Sequence, residues 1–235
     1  MNIETTITSE PTKSARGATL NTRGKLTDAA YKFMKDRLLE GEYKPGERIS
    51  PDAVTDAIGA SRQPVMDAMR RLATEGFVDV VPQVGCLVVQ PDRREIGDFL
   101  RMFASIEGTC AELVAARATD DELEQLQNHV KTFQQTLSHQ QSDDQLARIY
   151  RLHNREFHQL LHTFAHSDMV SELVASLSDR ADFYIATAVG TRPFDVRFWD
   201  AVEEHRRIAE VLTWRHAPTA RHLLESHVLA FIDTL

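Results

Sequence analysis

Three histidines offer metal chemistry by their type and their company. His158 closes the run Asn154-Arg155-Glu156-Phe157-His158, with Asn154 one helical turn before it on the same face. His205 lies in Glu203-Glu204-His205-Arg206-Arg207, and His227 in Leu223-Leu224-Glu225-Ser226-His227. A neutral imidazole is a good donor to zinc or nickel. If each histidine belongs to a different helix and projects inward, the three can converge on one divalent ion. The alternative for each is a solvated imidazole or a hydrogen-bonded core residue. A second set of residues suits recognition rather than metal binding. Arg62, Gln63, Met66 and Arg70 fall off the apolar face of one short helix, and Arg62 sits in its first turn, where a recognition helix meets base edges in the major groove.

The elements that must hold this second set are legible between residues 46 and 78. Ser50 is a good N-cap and Pro51 fits the first helical position, where its missing N–H costs nothing. Ala53, Val54, Ala57 and Ile58 then repeat at helical spacing, and Gly59 supplies a left-handed stop. Ser61 is expected to cap the next helix, whose apolar face is Val65, Ala68, Met69, Leu72 and Ala73, with Gly76 ending it. Two helices joined by a short Gly-containing turn make a helix-turn-helix. Phe77–Val81 and Cys86–Val89 are short β-rich runs on either side of Pro82-Gln83-Val84-Gly85, so a hairpin, or wing, follows the recognition helix. A further helix from Leu26 to Gly41 precedes the pair, and residues 1–22 read as a mobile tail. An ordinary helical hairpin with a solvated polar face would share the spacing but not the wing.

After Pro91 the pattern is helical almost throughout, near 92–118, 120–140, 143–165, 167–188, 194–215 and 217–234. Six helices with short connections make a bundle able to carry the three histidines inward. The predicted fold is therefore mainly α: a winged helix-turn-helix over 23–90, of three helices plus a β-hairpin wing, then an all-α bundle over 91–235. Charge separates the two parts. Residues 23–90 carry ten Lys/Arg against ten Asp/Glu, whereas residues 91–235 carry fifteen against twenty-three, so the net charge of −8 lies in the second part. A neutral DNA head must rely on the placement of individual arginines rather than on bulk attraction. Two cysteines, Cys86 and Cys110, form no disulfide framework. The longest apolar runs fall short of a membrane span, so a cytoplasmic protein with no membrane partner is expected.

In order and spacing, KPGERIS, IGASRQPVMDAMRRLATEGFV and VGCLVV resemble the winged-helix domain of GntR-type transcriptional regulators over roughly residues 24 to 90. The resemblance implies DNA contact through Ser50, Ser61, Arg62, Gln63, Pro64, Met66 and Arg70, with Gln83 and Gly85 in the wing. IEGTCAELVAARAT and the histidine neighbourhoods resemble the FCD effector domain of the FadR-like branch over roughly residues 95 to 232. That resemblance implies a divalent metal, zinc or nickel, held by Asn154, His158, His205 and His227 beneath a ligand cavity, which Phe103, Glu107 and Arg155 are expected to line, as is His162, which continues the His158 face by a further turn. Three positions depart from the family pattern. Met66 replaces a usual arginine of the recognition helix, Asn154 a more usual aspartate, and Phe103 an arginine that would face a carboxylate effector. The function implied is a homodimeric regulator, expected to repress, that binds a palindromic operator in double-stranded DNA and responds to a small-molecule effector. Two alternatives are a metal-dependent enzyme on a helical bundle and a metal-free regulator responsive to acyl-CoA. The enzyme is disfavoured because none of the three histidines has a carboxylate three residues before it.

Overall fold

A computed structural model describes residues 13–81, 85–137, 143–189 and 197–234. The chain divides into two compact units, the first made of Met1–Leu38 and Tyr43–Val89, the second of Leu39–Glu42 and Gln90–Leu235. In the first, helix α1 (Lys13–Leu39) precedes strand β1 (Arg48–Ile49), helices α2 (Pro51–Ile58) and α3 (Arg62–Thr74), and strands β2 (Val78–Val81) and β3 (Gly85–Val88). Helix α1 thus begins at Lys13, so residues 13–22, expected in the tail, extend the first helix instead. Its pattern carries no apolar periodicity there, which is why the start was not legible.

Local chemistry explains the turns. Ser50 Oγ accepts from Ala53 N–H at the head of α2, with Pro51 in the first turn, and Gly59 takes φ 64° at its end. Ser61 occupies the cap position of α3 but its side chain makes no capping hydrogen bond, contrary to the sequence expectation. The predicted hairpin is present, but β1 adds a third antiparallel strand, in the order β1-β3-β2. Ile49 pairs with Cys86, and Val78 with Val88. A two-residue strand lies below the length at which alternation can be read from sequence. Gly85 has φ 113°, a backbone that L side chains rarely adopt, so β3 begins at a position where any other residue would be strained. Met34, Leu38, Val65, Met69, Leu72, Phe77 and Cys86 form the buried core of this unit.

The second unit is all helical among the described residues: α4 (Arg93–Arg117), α5 (Asp120–Leu137), α6 (Asp143–Phe164), α7 (Asp168–Val189), α8 (Phe198–Thr213) and α9 (Ala217–Leu229), closed by a 3-10 turn over Ile232–Thr234. Helix α8 starts at Phe198, and α9 stops at Leu229 rather than running to 234. Asp92 caps α4 by accepting from Glu95 N–H at 2.8 Å. Thr119 and Glu122 cap α5 reciprocally, side chain to backbone in both directions. At α9 the cap is His216, which accepts from the N–H of Thr219 in the first turn. Helix α4 packs against α9 and α7, and α5 against α8 and α6. Gly108 of α4 lets α9 approach closely, since a Cβ there would lie 2.5 Å from Glu225 Cγ. Cys110, Val114, Leu126, Phe157, Leu161, Ile208, Leu212 and Leu224 make one apolar core, with Phe133, Tyr150 and Phe198 in a second cluster beside it. No described helix is long and apolar enough to cross a membrane.

Candidate metal centre and DNA-facing helix

Helix α6 carries two adjoining stripes. Tyr150, His153, Phe157, Leu161 and Phe164 are buried in the core, while Asn154, His158 and His162 follow one another at four-residue steps along its flank. Helices α8 and α9 each bring one imidazole to meet them, His205 fully buried and His227 nearly so. One donor atom from each of His158, His205 and His227 lies within 4.8 Å of the others. Three of the four residues expected to hold the ion are therefore brought together. Asn154 stands one turn from His158, half-buried, and its Oδ1 accepts from the Tyr150 hydroxyl at 3.4 Å.

The protons in this cluster can be accounted for atom by atom. A neutral imidazole has one N–H and one lone pair. Glu204 Oε2 lies 2.7 Å from His227 Nδ1, so that nitrogen carries the proton and Nε2 keeps its lone pair. Glu204 is itself held by Arg197 through its other oxygen. His227 Nε2 faces His205 Nε2 at 3.2 Å, and His205 Nδ1 faces His153 Nε2 at 3.2 Å. With no cation, the chain closes if His153 donates to His205 and His205 donates to His227, leaving His153 Nδ1 buried and without a partner among the described residues. If instead His205 holds its proton on Nδ1, toward His153, two lone pairs point at each other from His205 and His227. That arrangement is repulsive by itself and attractive to a cation. A carboxylate behind a histidine is also the usual way a metal-binding imidazole is oriented.

Electrostatics supports the same donor state. Burial holds His205 well below the ordinary histidine range. It lowers His227 too, outweighing the pull of Glu204, and it pushes His153 down to about 3. Each is thus the neutral form that a metal requires. His158 differs: burial opposes its charge, but Glu107 outweighs burial and raises it. Glu107 is fully buried, with Oε1 3.3 Å from His158 Nδ1 and 3.0 Å from His162 Nε2. Burial alone would raise this carboxyl, yet the two imidazoles hold it below the usual range. Glu107, His158 and His162 form a second group with donor atoms within 4.8 Å of one another. The donor chemistry of these clusters, nitrogen-rich and buried, fits a borderline divalent cation.

Of the expected cavity residues, Phe103 is buried one turn before Glu107 and stacks on Phe99, which meets Tyr184 edge-on. Arg155 was expected to line the cavity, but it lies on the exposed face of α6, paired with Asp182 and Asp179 of α7 at 3.3 and 3.6 Å. An arginine between two carboxylates ties helices together rather than waiting for an anion. His153 and Glu204 were missed by the sequence reading. The spacing of His153 from Tyr150 and Phe157 marks it as a core position, but the partner of Glu204 belongs to another helix and leaves no sequence signal.

In the first unit, Arg62, Gln63 and Arg70 are exposed along α3, with Met66 partly exposed between them. Arg62 Nη1 pairs with Asp52 Oδ1 at 2.6 Å across the turn. Gln63 and Arg70 both reach Asp67, at 3.0 and 2.6 Å, and so does Arg23 of α1 at 2.6 Å. Pro64 is a correction: it is buried in the first turn of α3, so it packs and has no surface for DNA. Ser61 is exposed at the head of α3, Ser50 is half-buried at the head of α2, and Gly85 opens β3. Gln83 falls outside the described residues.

Comparison with known proteins returns two family models, "Bacterial regulatory proteins, gntR family" over residues 26–88 and "FCD domain" over residues 98–230. The chain is 27% identical over 204 residues to the uncharacterized HTH-type transcriptional regulator YdhC of Bacillus subtilis, covering 86% of each chain. It is 26% identical over 165 residues to the HTH-type transcriptional repressor RspR of Escherichia coli, covering 69% of each. Among solved structures it resembles E. coli McbR/YncC with a TM-score of 0.70 at 19% identity, over 88% of this chain and 95% of that one. A GntR regulator from Rhodococcus sp. RHA1 resembles it with a TM-score of 0.66 at 17% identity, over 88% and 95% of the two chains. At such identities the structural likeness speaks for the fold.

Proposed function

Because this chain belongs to the gntR family of bacterial regulatory proteins and carries an FCD domain, we propose that it is a homodimeric, cytoplasmic repressor controlled by a small metabolite at a metal site in its second unit. That it is a DNA-binding transcriptional regulator, and not an enzyme, follows from the family and from relatives that are themselves transcriptional regulators. The finer reading is carried by one observation: imidazoles from α6, α8 and α9 meet within 4.8 Å, with Glu204 fixing the proton of one of them.

His158, His205 and His227 would hold the ion, with Asn154 one turn away as a neutral fourth donor. Bound there, a divalent cation would offer an open position to a lone pair of the effector. The chain's own residues set the rest. Glu204 keeps His227 Nδ1 protonated, His153 Nε2 would accept a hydrogen bond from His205 Nδ1–H, and Phe103 with Phe99 gives α4 an aromatic wall one turn from Glu107. With Phe103 apolar and Arg155 already paired, the effector should be less acidic than a di- or tricarboxylate. On the DNA side, Arg62, Gln63 and Arg70 would meet base edges and phosphates of a palindromic operator. An effector that prefers one arrangement of the dimer shifts operator affinity by its difference in affinity for the two states.

The test begins with duplexes selected from random sequence by the purified full-length protein. A two-fold symmetric consensus and a protein dimer in sedimentation are expected. Zinc or nickel at one ion per chain by elemental analysis supports the site, and metabolites are then screened for release of the selected duplex. Protein that binds the duplex yet retains no metal, and melts at one temperature with and without added ions, would exclude the metal site while leaving the regulator.

A further inference from the structure

We infer that the bundle carries a second divalent-cation position, built from Glu107, His158 and His162, which competes with the three-imidazole set for His158. The inference rests on the reading of His158, His205 and His227 as an ion site and deepens it. Two observations carry it independently. The donor atoms of Glu107, His158 and His162 lie within 4.8 Å of one another, a group distinct from the first except for the shared ring. Glu107 is also fully buried, and its Oε2 has no hydrogen-bond partner among the described residues, so half of a carboxylate stands buried beside imidazoles without a donor. A buried carboxylate oxygen without a donor is costly unless a cation meets it. The Nδ1 of His158, 3.3 Å from Glu107 Oε1, is likewise buried and makes no hydrogen bond among the described residues.

The two sets differ in donor type, and donor type decides which ion each prefers. Three neutral imidazoles suit zinc or nickel, whereas two imidazoles and one carboxylate suit harder ions such as manganese or ferrous iron. Glu107 also brings a negative charge that the three-imidazole set lacks, which favours any dication in its reach. Because His158 belongs to both sets, filling one position withdraws a ligand from the other. The bundle would then distinguish metals by where they sit, toward α4 and Glu107 or toward α8 and α9.

The experiment uses the full-length protein stripped of metal. Mn2+ binding is followed by the electron paramagnetic resonance signal of the free ion, and Zn2+ binding by competition with a chromophoric chelator. Glu107→Gln is expected to weaken Mn2+ binding by roughly tenfold or more while changing zinc affinity little, and His227→Ala to do the reverse. His158→Ala should weaken both, and one equivalent of zinc should displace Mn2+ from wild type. Pulsed resonance on the wild-type Mn2+ protein should show two coordinated imidazole nitrogens, a readout that survives if Glu107→Gln fails to fold. Wild type that binds zinc but not Mn2+, Mn2+ affinity indifferent to Glu107→Gln in a folded variant, simultaneous binding of both ions, or three nitrogens on Mn2+ would each overturn the second position alone. Wild type that binds no zinc removes the first site and the competition with it.

Discussion

At the scale of single residues, the two sites differ in how much one side chain can matter. Arg62 is exposed and its pairing with Asp52 joins two groups that are 65% and 74% exposed, an interaction worth little to folding. On DNA the same guanidinium would contact guanine or phosphate, so Arg62→Ala should cost about 1–3 kcal/mol of operator affinity. Fluorescence anisotropy on a selected duplex measures it. An unchanged affinity in a protein with wild-type melting would remove Arg62 from the interface. Glu204 acts in the opposite setting, behind a buried ring. Glu204→Gln leaves an acceptor for His227 Nδ1–H but removes the charge that makes the imidazole a better donor. Metal affinity should therefore fall by roughly tenfold or more. Chelator competition reads this directly, and equal affinities for the two proteins would mean that Glu204 serves only Arg197.

Among the elements, the joint between α1 and α3 rests on a polar cluster rather than on apolar packing alone. Glu75 accepts from the Tyr31 hydroxyl at 2.6 Å, from Lys35 at 3.0 Å and from Arg71 at 3.2 Å, while Arg71 lies over the Tyr31 ring at 3.7 Å. Burial by itself would raise the Glu75 carboxyl, but these donors overcome it and lower it below its ordinary value of 4.5. A carboxyl lowered in the folded state adds stability that is present above the ordinary value and is lost as pH falls through the lowered one. Glu75→Gln should thus destabilise the first unit by about 1 kcal/mol at neutral pH, and the gap to wild type should close in acid. Urea melts at neutral and acidic pH check both halves of this expectation. A gap that widens in acid would place the stabilisation elsewhere. Beside the same joint, Ala30, Met34 and Leu38 of α1 are buried core residues.

For the molecule as a whole, an ion that bridges α6, α8 and α9 would bind the folded bundle and not the unfolded chain. Free metal at a hundred times its dissociation constant then adds about 2.7 kcal/mol to the stability of the second unit. Calorimetry should show that chelator lowers one transition and that zinc or nickel restores it, while the transition of the winged unit stays in place. His205→Ala should abolish the metal response. Both transitions moving together with metal would place the ion outside the bundle. The charge distribution belongs at this scale too: the winged unit is neutral, so salt should weaken operator binding through the few arginines of α3 rather than through a broad field.

Periodicity and punctuation were enough to determine the winged helix-turn-helix and the helical second part. Ser50-Pro51, Gly59 and the Val65-Ala68-Met69-Leu72 stripe are local signals whose partners lie within a turn or two. The three imidazoles were legible by residue type and company, and their helices by spacing. The wing needed Gly85 for a backbone that no other residue adopts easily, so it too could be read. What only the tertiary structure decided is everything that depends on a partner far along the chain. Strand β1 exists because β3 lies beside it. Pro64 is buried because of what packs on α3, and Arg155 turns to two carboxylates of α7. The pairing of Glu204 with His227 and of Glu107 with His158 and His162 joins residues 23 to 55 positions apart. Helical spacing says which face a residue occupies. It does not say which helix that face will meet, because burial energy rewards any apolar contact while each proton in this cluster needs one particular partner.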